Sequence, residues 1–333
     1  MRTHAGTLLL LAASGFFQAA FALPVRYLRQ WRWEQMWVGQ SIAANVLLPL
    51  AWATVAPAAF WNRAGGLPLS HWLTVYAWGV LWGLGGVAWG LTLTRLGIAF
   101  ANSFVFGVTT AAGALLPIAA GAVEKPAHPR LFAAGLLFCL LATVLIGWLR
   151  RRGPQDAMLP MPLPFRSYTG VIAVALFAGF ASAGYGLAYT FAFPALRRLI
   201  VGGVSEMSAT LAIVLPAYLG CASVAIPLGV LVAARSGSLP LFFHAHALRN
   251  WSLALAMGIC AAATALLYGF AGSAAGHLSP NVSFGVFISF LVLSGTLLGL
   301  AAGEMRGCSR RFIVGLLLSA AGLVAGALLL SAR

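Results

Sequence analysis

The chain has 333 residues, 61% of them hydrophobic and 8% charged, with 20 Lys and Arg against 5 Asp and Glu. So few charges cannot cover the surface of a water-soluble protein of this length. A net charge of +15 scattered over connections, not gathered on one face, is no nucleic-acid surface either, which leaves a polytopic membrane protein.

Apolar runs, most of them roughly 18 to 25 residues long, are the length that crosses a hydrocarbon core of about 30 Å as helix. In chain order the predicted spans are 7–24, 36–58, 71–93, 97–122, 131–149, 167–191, 205–233, 250–270, 281–302 and 311–330, ten in all and without a soluble domain. The first span, with Arg2 ahead of it and Ala20-Phe21-Ala22 behind, has the look of a cleaved secretory signal. A counterpart of the same segment in the second half argues that it is retained. After it, Arg26, Arg29 and Arg32 alternate with Trp31, Trp33 and Trp37, the composition of a headgroup anchor.

Spans three and four carry Gly79 and Gly83, then Gly86 and Gly90, spaced so that helix backbones can approach closely. Trp82-Gly83-Leu84-Gly85-Gly86 is not a phosphate loop, since no strand precedes it and no Lys or Ser/Thr follows in place. Span five ends at Arg150, where Arg150, Arg151 and Arg152 and the prolines Pro154, Pro160, Pro162 and Pro164 read as a linker. The expected organisation is therefore a unit over 1–150, a cytoplasmic basic, proline-rich linker over 151–166 and a second unit over 167–333. In the second unit, His244 and His246 stand in a loop without a carboxylate or thiol beside them. Cys139, Cys221, Cys260 and Cys308 have no paired spacing, so neither a metal nor a disulfide is expected.

Of the 20 basic residues, 13 fall in odd-numbered connections and 7 in the even-numbered ones and the termini. That bias puts the Arg150 linker in the cytoplasm and both termini on the periplasmic side of a bacterial-type inner membrane.

The two units repeat each other. Gly15-Phe16-Phe17-Gln18, running to Pro24 and Arg26, parallels Gly179-Phe180-Ala181-Ser182, running to Pro194 and Arg197. Trp89-Gly90, then Asn102-Ser103-Phe104-Val105-Phe106-Gly107-Val108, parallels Tyr268-Gly269, then Asn281-Val282-Ser283-Phe284-Gly285-Val286. Five spans per unit is an odd number, so the second unit inserts upside down relative to the first. The expected fold is all-α, ten transmembrane helices as two inverted five-helix repeats, the symmetry by which secondary transporters alternate access to a central site.

Polar side chains inside spans are costly in lipid and are the binding candidates: Gln18, Asn45, Asn102, Thr109, Tyr185, Tyr189, Tyr218, Thr264, Tyr268 and Ser283. Amides both donate and accept hydrogen bonds, which suits a neutral polyol, and aromatic rings suit its apolar face. For Ser and Thr the alternative is a bond to a neighbouring helix. No carboxylate stands mid-span, so Glu34, Glu206 and Glu304, near span ends, are the candidates for proton coupling. No acid/base pair, activated nucleophile or metal cluster falls in the spans, so no catalytic residue is assigned and an intramembrane enzyme is disfavoured. No cofactor is expected beyond an ion gradient.

Taken together, Trp31, Trp33-Glu34, Met36-Trp37, Trp82-Gly83-x-Gly85, Gly90-Leu91-Thr92, Leu96-Gly97, Gly107-x-Thr109, Gly113 and Pro117 resemble the L-rhamnose/proton symporter family of the drug/metabolite transporter superfamily. Ser294-Gly295, Gly299, Glu304 and Arg310-Arg311 resemble it in the second half. The resemblance implies proton-driven uptake of a deoxysugar such as L-rhamnose, or of L-lyxose-like sugars, with sugar, protons and membrane lipids as partners. The chain departs from the family at Gly86-Val87-Ala88-Trp89, where members have an Asn and a Tyr. It departs again at Ala261-Ala262-Ala263-Thr264-Ala265-Leu266-Leu267-Tyr268, where members carry Trp, Tyr and Gln. Both changes remove polar groups, which leaves open a carrier for a more apolar metabolite or drug. A non-transporting membrane sensor is the remaining alternative.

Overall fold

The computed structural model describes residues 4–121, 128–152, 168–274, 280–303 and 308–331. Most of the linker, Glu304 and the Asn102 side chain fall outside the described residues. Every regular element among those described is helical. The helices are α1 (His4–Ala20), α2 (Trp33–Ile42), α3 (Leu48–Thr54), α4 (Ala58–Ala64), α5 (Leu69–Ala119), α6 (Pro129–Arg152), α7 (Tyr168–Ser182), α8 (Gly184–Val201), α9 (Glu206–Arg235), α10 (Ala247–Ala274), α11 (Pro280–Ala301) and α12 (Arg310–Ser331).

Among the described residues, seven helical segments are long and apolar enough to cross a membrane: Ala5–Tyr27, Trp33–Thr54, Thr169–Val201, Glu206–Arg235, Ala247–Ala271, Ser283–Ala301 and Arg310–Leu330. In a bilayer every backbone polar group must be satisfied within the protein, and helices do this residue by residue. The chain is all-α and integral to the membrane.

Two elements differ from the sequence expectation. Spans three and four are joined in one run of helical residues, α5, with no proline between Leu91 and Phe100 to mark a boundary. The run is nonetheless not straight. At a rise of about 1.5 Å per residue, Trp89 and Phe106 would lie about 25 Å apart, yet their ring centroids are 6.1 Å apart. The helix doubles back between them, giving two arms. Span two breaks into α2 and α3 around a π-helical turn at Ala43–Leu47. Pro49 sits four residues after Asn45 and has no N–H to offer its carbonyl, and the wider turn is how such a helix absorbs the loss.

Tight glycine contacts hold the helices together. A Cβ at Gly15 of α1 would stand 2.7 Å from the Leu291 backbone nitrogen of α11, and one at Gly179 of α7 would stand 2.6 Å from the Val105 carbonyl of the second α5 arm. Gly79 of the first α5 arm lies on the Ala217 backbone of α9, and Gly258 of α10 lies on Ala43 and Ala44 of the π turn. With no water to drive association, such backbone proximity is what packs membrane helices.

Candidate functional site

The bundle holds a partly open cavity of about 70 Å³ lined by side chains from both halves of the chain. Gln18 comes from α1, Trp37 and Gln40 from α2, and Asn45 from the π turn. Trp82, Gly86 and Trp89 come from one arm of α5 and Phe106 from the other. Ser182 of α7, Tyr218 and Cys221 of α9 and Ala261 of α10 close the far side. The volume admits several water molecules but is below the few hundred Å³ typical of a small-molecule site.

Its aromatic wall is continuous. Trp37 stacks on Trp33 at 6.3 Å and 9° and meets Trp89 edge-on at 6.0 Å. Trp82 packs on Tyr185 and Tyr218, both at 4.9 Å. The sequence expectation of a headgroup anchor fails here: Trp31, Trp33 and Trp37 are all buried in protein. Rings from the second half cover Trp31, namely Phe242 at 6.0 Å and Trp251 at 5.3 Å.

Two of the polar lining groups, Asn45 and Tyr218, are held by weak bonds. Asn45 Nδ2 donates to Cys221 Sγ at 3.3 Å, and thiol sulfur is a poor acceptor. Tyr218 donates to the Ala261 carbonyl at a long 3.5 Å, and Gln40 Nε2 donates to Ser41 Oγ at 2.8 Å. A ligand hydroxyl offers Asn45 and Tyr218 a better partner than the one each has.

Of the expected binding residues, Gln18, Asn45 and Tyr218 line this cavity. Tyr185, Tyr189 and Tyr268 form a cluster behind Trp82 and Tyr218, with Tyr189 and Tyr268 edge-on at 4.7 Å. The Tyr185 and Tyr189 hydroxyls are buried beside each other there, and Ser283 Oγ is buried with no hydrogen-bond partner among the described residues. Thr109 and Thr264 instead face neighbouring helices. Thr109 Oγ1 donates to the Val105 and Gly179 carbonyls, each at 2.9 Å; Thr264 Oγ1 donates to Cys260 at 2.9 Å and to Ser14 at 3.4 Å. Gln40 was not anticipated, although an amide five residues before Asn45 in the same span was a readable signal.

The carboxylates separate. Glu34 is buried at 5% exposure, where Ser238 donates to it at 2.6 Å and Ser236 at 3.1 Å. Gln35 Nε2 donates to the Ser238 carbonyl at 2.9 Å, fixing the same segment. Glu206 stands half-buried in the first turn of α9. His244 is exposed in the connection before α10, its ring 6.2 Å from that of His246.

Known proteins share this architecture and sequence. Residues 6–331 match the L-rhamnose-proton symport protein family. The L-rhamnose-proton symporter of Salmonella enteritidis PT4 is 27% identical over 305 residues, covering 88% of this chain and 87% of that one. The symporter of the same name in Escherichia coli O17:K52:H18 is 27% identical over 311 residues, with 88% and 87% covered. These relatives are named as transporters, not enzymes. A chain of known crystal structure shares the fold at a TM-score of 0.57 and 14% identity, over 98% of this chain and 96% of that one. With a match over nearly its whole length, the chain belongs to the L-rhamnose-proton symport protein family.

Proposed function

We propose that the chain is a secondary carrier that moves L-rhamnose, or a related deoxysugar or pentose, across the bacterial inner membrane with a proton. The observation that carries this is the cavity itself, where Gln18, Gln40 and Asn45 face a wall of Trp37, Trp82, Trp89 and Phe106. Amides match sugar hydroxyls as donors and acceptors, and the rings match the apolar face and methyl group of a deoxysugar. The names of the relatives point to the same cargo.

The carrier works by alternating access between two inverted five-helix repeats, over 1–150 and 167–333. Ten crossings are counted by adding α6 and the two arms of α5 to the seven segments given above. The packing supports the duplication: α1 meets α11 through Gly15 as α7 meets the second α5 arm through Gly179, and Gly79 meets α9 as Gly258 meets the π turn. A cavity of about 70 Å³ must widen to admit a sugar, which rocking of the repeats provides. Both termini lie in the periplasm, following the bias of the basic residues.

Glu34 is the proton carrier in this reading. It is a buried carboxylate that accepts from two hydroxyls, at a junction that opens and closes with the repeats. Proteoliposome uptake tests the whole. Labelled L-rhamnose should accumulate under an inward proton gradient, and Glu34→Gln should abolish accumulation while keeping sugar exchange at equilibrium. The absence of saturable monosaccharide uptake, with a hydrophobic amine or other apolar solute raising the melting temperature instead, would transfer the carrier to the more apolar cargo class.

A further inference from the structure

The first arm of α5 and helix α10 align without a gap, from Leu69-Ser70-His71-Trp72 against Leu248-Arg249-Asn250-Trp251 through Gly79 against Gly258 to Gly90 against Gly269. His71 and Asn250 therefore hold matched places at opposite ends of the bundle. Their surroundings differ.

Asn250 ties its end shut. Its Nδ2 donates to the Arg29 carbonyl at 2.7 Å and its Oδ1 accepts from the Arg29 N–H at 3.1 Å. Around it, Trp31 Nε1 donates to the Leu241 carbonyl at 2.9 Å, the Trp31 and Trp251 rings meet at 5.3 Å, and Glu34 holds Ser236 and Ser238. Every one of these contacts joins the first half of the chain to the second.

At the other end His71 and Arg198 line an open cavity of about 260 Å³, between Leu67–Val75 and Phe191–Arg198. In this cavity His71 bonds α9. Its Nε2 donates to the Ala212 carbonyl of α9 at 3.1 Å. That carbonyl lacks its usual helical partner because Pro216, four residues on, has no N–H.

We infer that His71 and Asn250 are paired gate residues: Asn250 seals one end by gripping the chain after α1, and His71, released from Ala212, seals the other by gripping the main chain at the end of α8. This rests on the alternating-access reading and adds the groups that make each seal. The two grips alternate, because a site released at both ends at once would leak and dissipate the gradient. Neither residue lines the central cavity, so the role is one of positioning, and it is read without substrate.

Cys221 lines the central cavity and reports which end is open. In a chain with Cys139, Cys260 and Cys308 changed to Ser, Cys221 is the sole thiol. A membrane-impermeant maleimide is applied to right-side-out and inside-out vesicles without sugar. The parent should label faster from the His71 side. Asn250→Ala should raise labelling from the Asn250 side about tenfold, the worth of two lost hydrogen bonds. Asn250→Asp, which keeps the acceptor and loses the donor, should fall between. His71→Asn, copying the residue of the sealed end, should slow labelling from the His71 side. Parent-like rates from both sides in folded, monodisperse Asn250→Ala and His71→Asn proteins would overturn the inference, as would a Cys221 that reacts from neither side in any of them. Lost sugar uptake with the expected labelling pattern would count against the cargo alone.

Discussion

The cavity has two sides of unequal character. The first half of the chain gives it the three carboxamides, Gln18, Gln40 and Asn45, and most of its rings; the second half gives Ser182, Tyr218, Cys221 and Ala261. Two of these are matched positions of the duplication, Gln18 with Ser182 and Trp82 with Ala261. The helix contacts have not diverged in the same way, since Gly15 and Gly179, and Gly79 and Gly258, make equivalent close approaches. Packing has to be alike on both sides for two similar units to exchange shapes. A sugar has no two-fold axis, so its binding groups have no such constraint and can concentrate on one side.

The largest expected effect comes from breaking what the halves share. Gly79→Leu drives a side chain into the Ala217 backbone, and overpacking of this kind costs about 3 kcal/mol. Gel filtration after detergent extraction should show loss of the monodisperse peak, and Gly258→Leu should do the same. Next come the groups the halves do not share. Gln18→Ala and Asn45→Ala should each raise the KM for sugar roughly tenfold, the worth of one or two hydrogen bonds to a desolvated ligand, with elution unchanged. Ser182→Ala, on the poorer side, should change KM less than about threefold by the same reasoning. Equal effects at Gln18 and Ser182 would show that ligand contact is shared evenly and would remove the contrast. The smallest effect is at Thr109→Val and Thr264→Val, where an interhelical bond worth about 0.6 kcal/mol is lost. A slightly lower melting temperature with an unaltered KM is the expected pair of readings.

Hydropathy and spacing carried the all-α membrane architecture, because insertion into lipid is decided locally, one run of residues at a time. They also pointed to Gln18 and Asn45, since an amide in a span has few places to go. What could not be read was direction. Thr109 and Asn45 look alike as polar residues in spans, yet one bonds the Gly179 carbonyl and the other lines the cavity. Helix rotation decides between those outcomes, and it is set by contacts far along the chain. Trp31 shows this most clearly. Beside three arginines it has the composition of an anchor, but its partners Leu241 and Trp251 lie more than 200 residues away. The reversal within α5 lies where the sequence already divides the run, between the spans 71–93 and 97–122.

The π turn at Ala43–Leu47 puts one residue more into that turn than an α-helix would. Rewinding the same residues as ordinary α-helix, which Pro49→Ala permits by restoring an N–H for the Asn45 carbonyl, would swing one side of the segment by about 100° relative to the other. Asn45 would leave the cavity or α3 would leave its neighbours, so the third amide owes its place to the wide turn. In a carrier built this way, substrate range can change through a residue that lines nothing, without any lining residue being replaced.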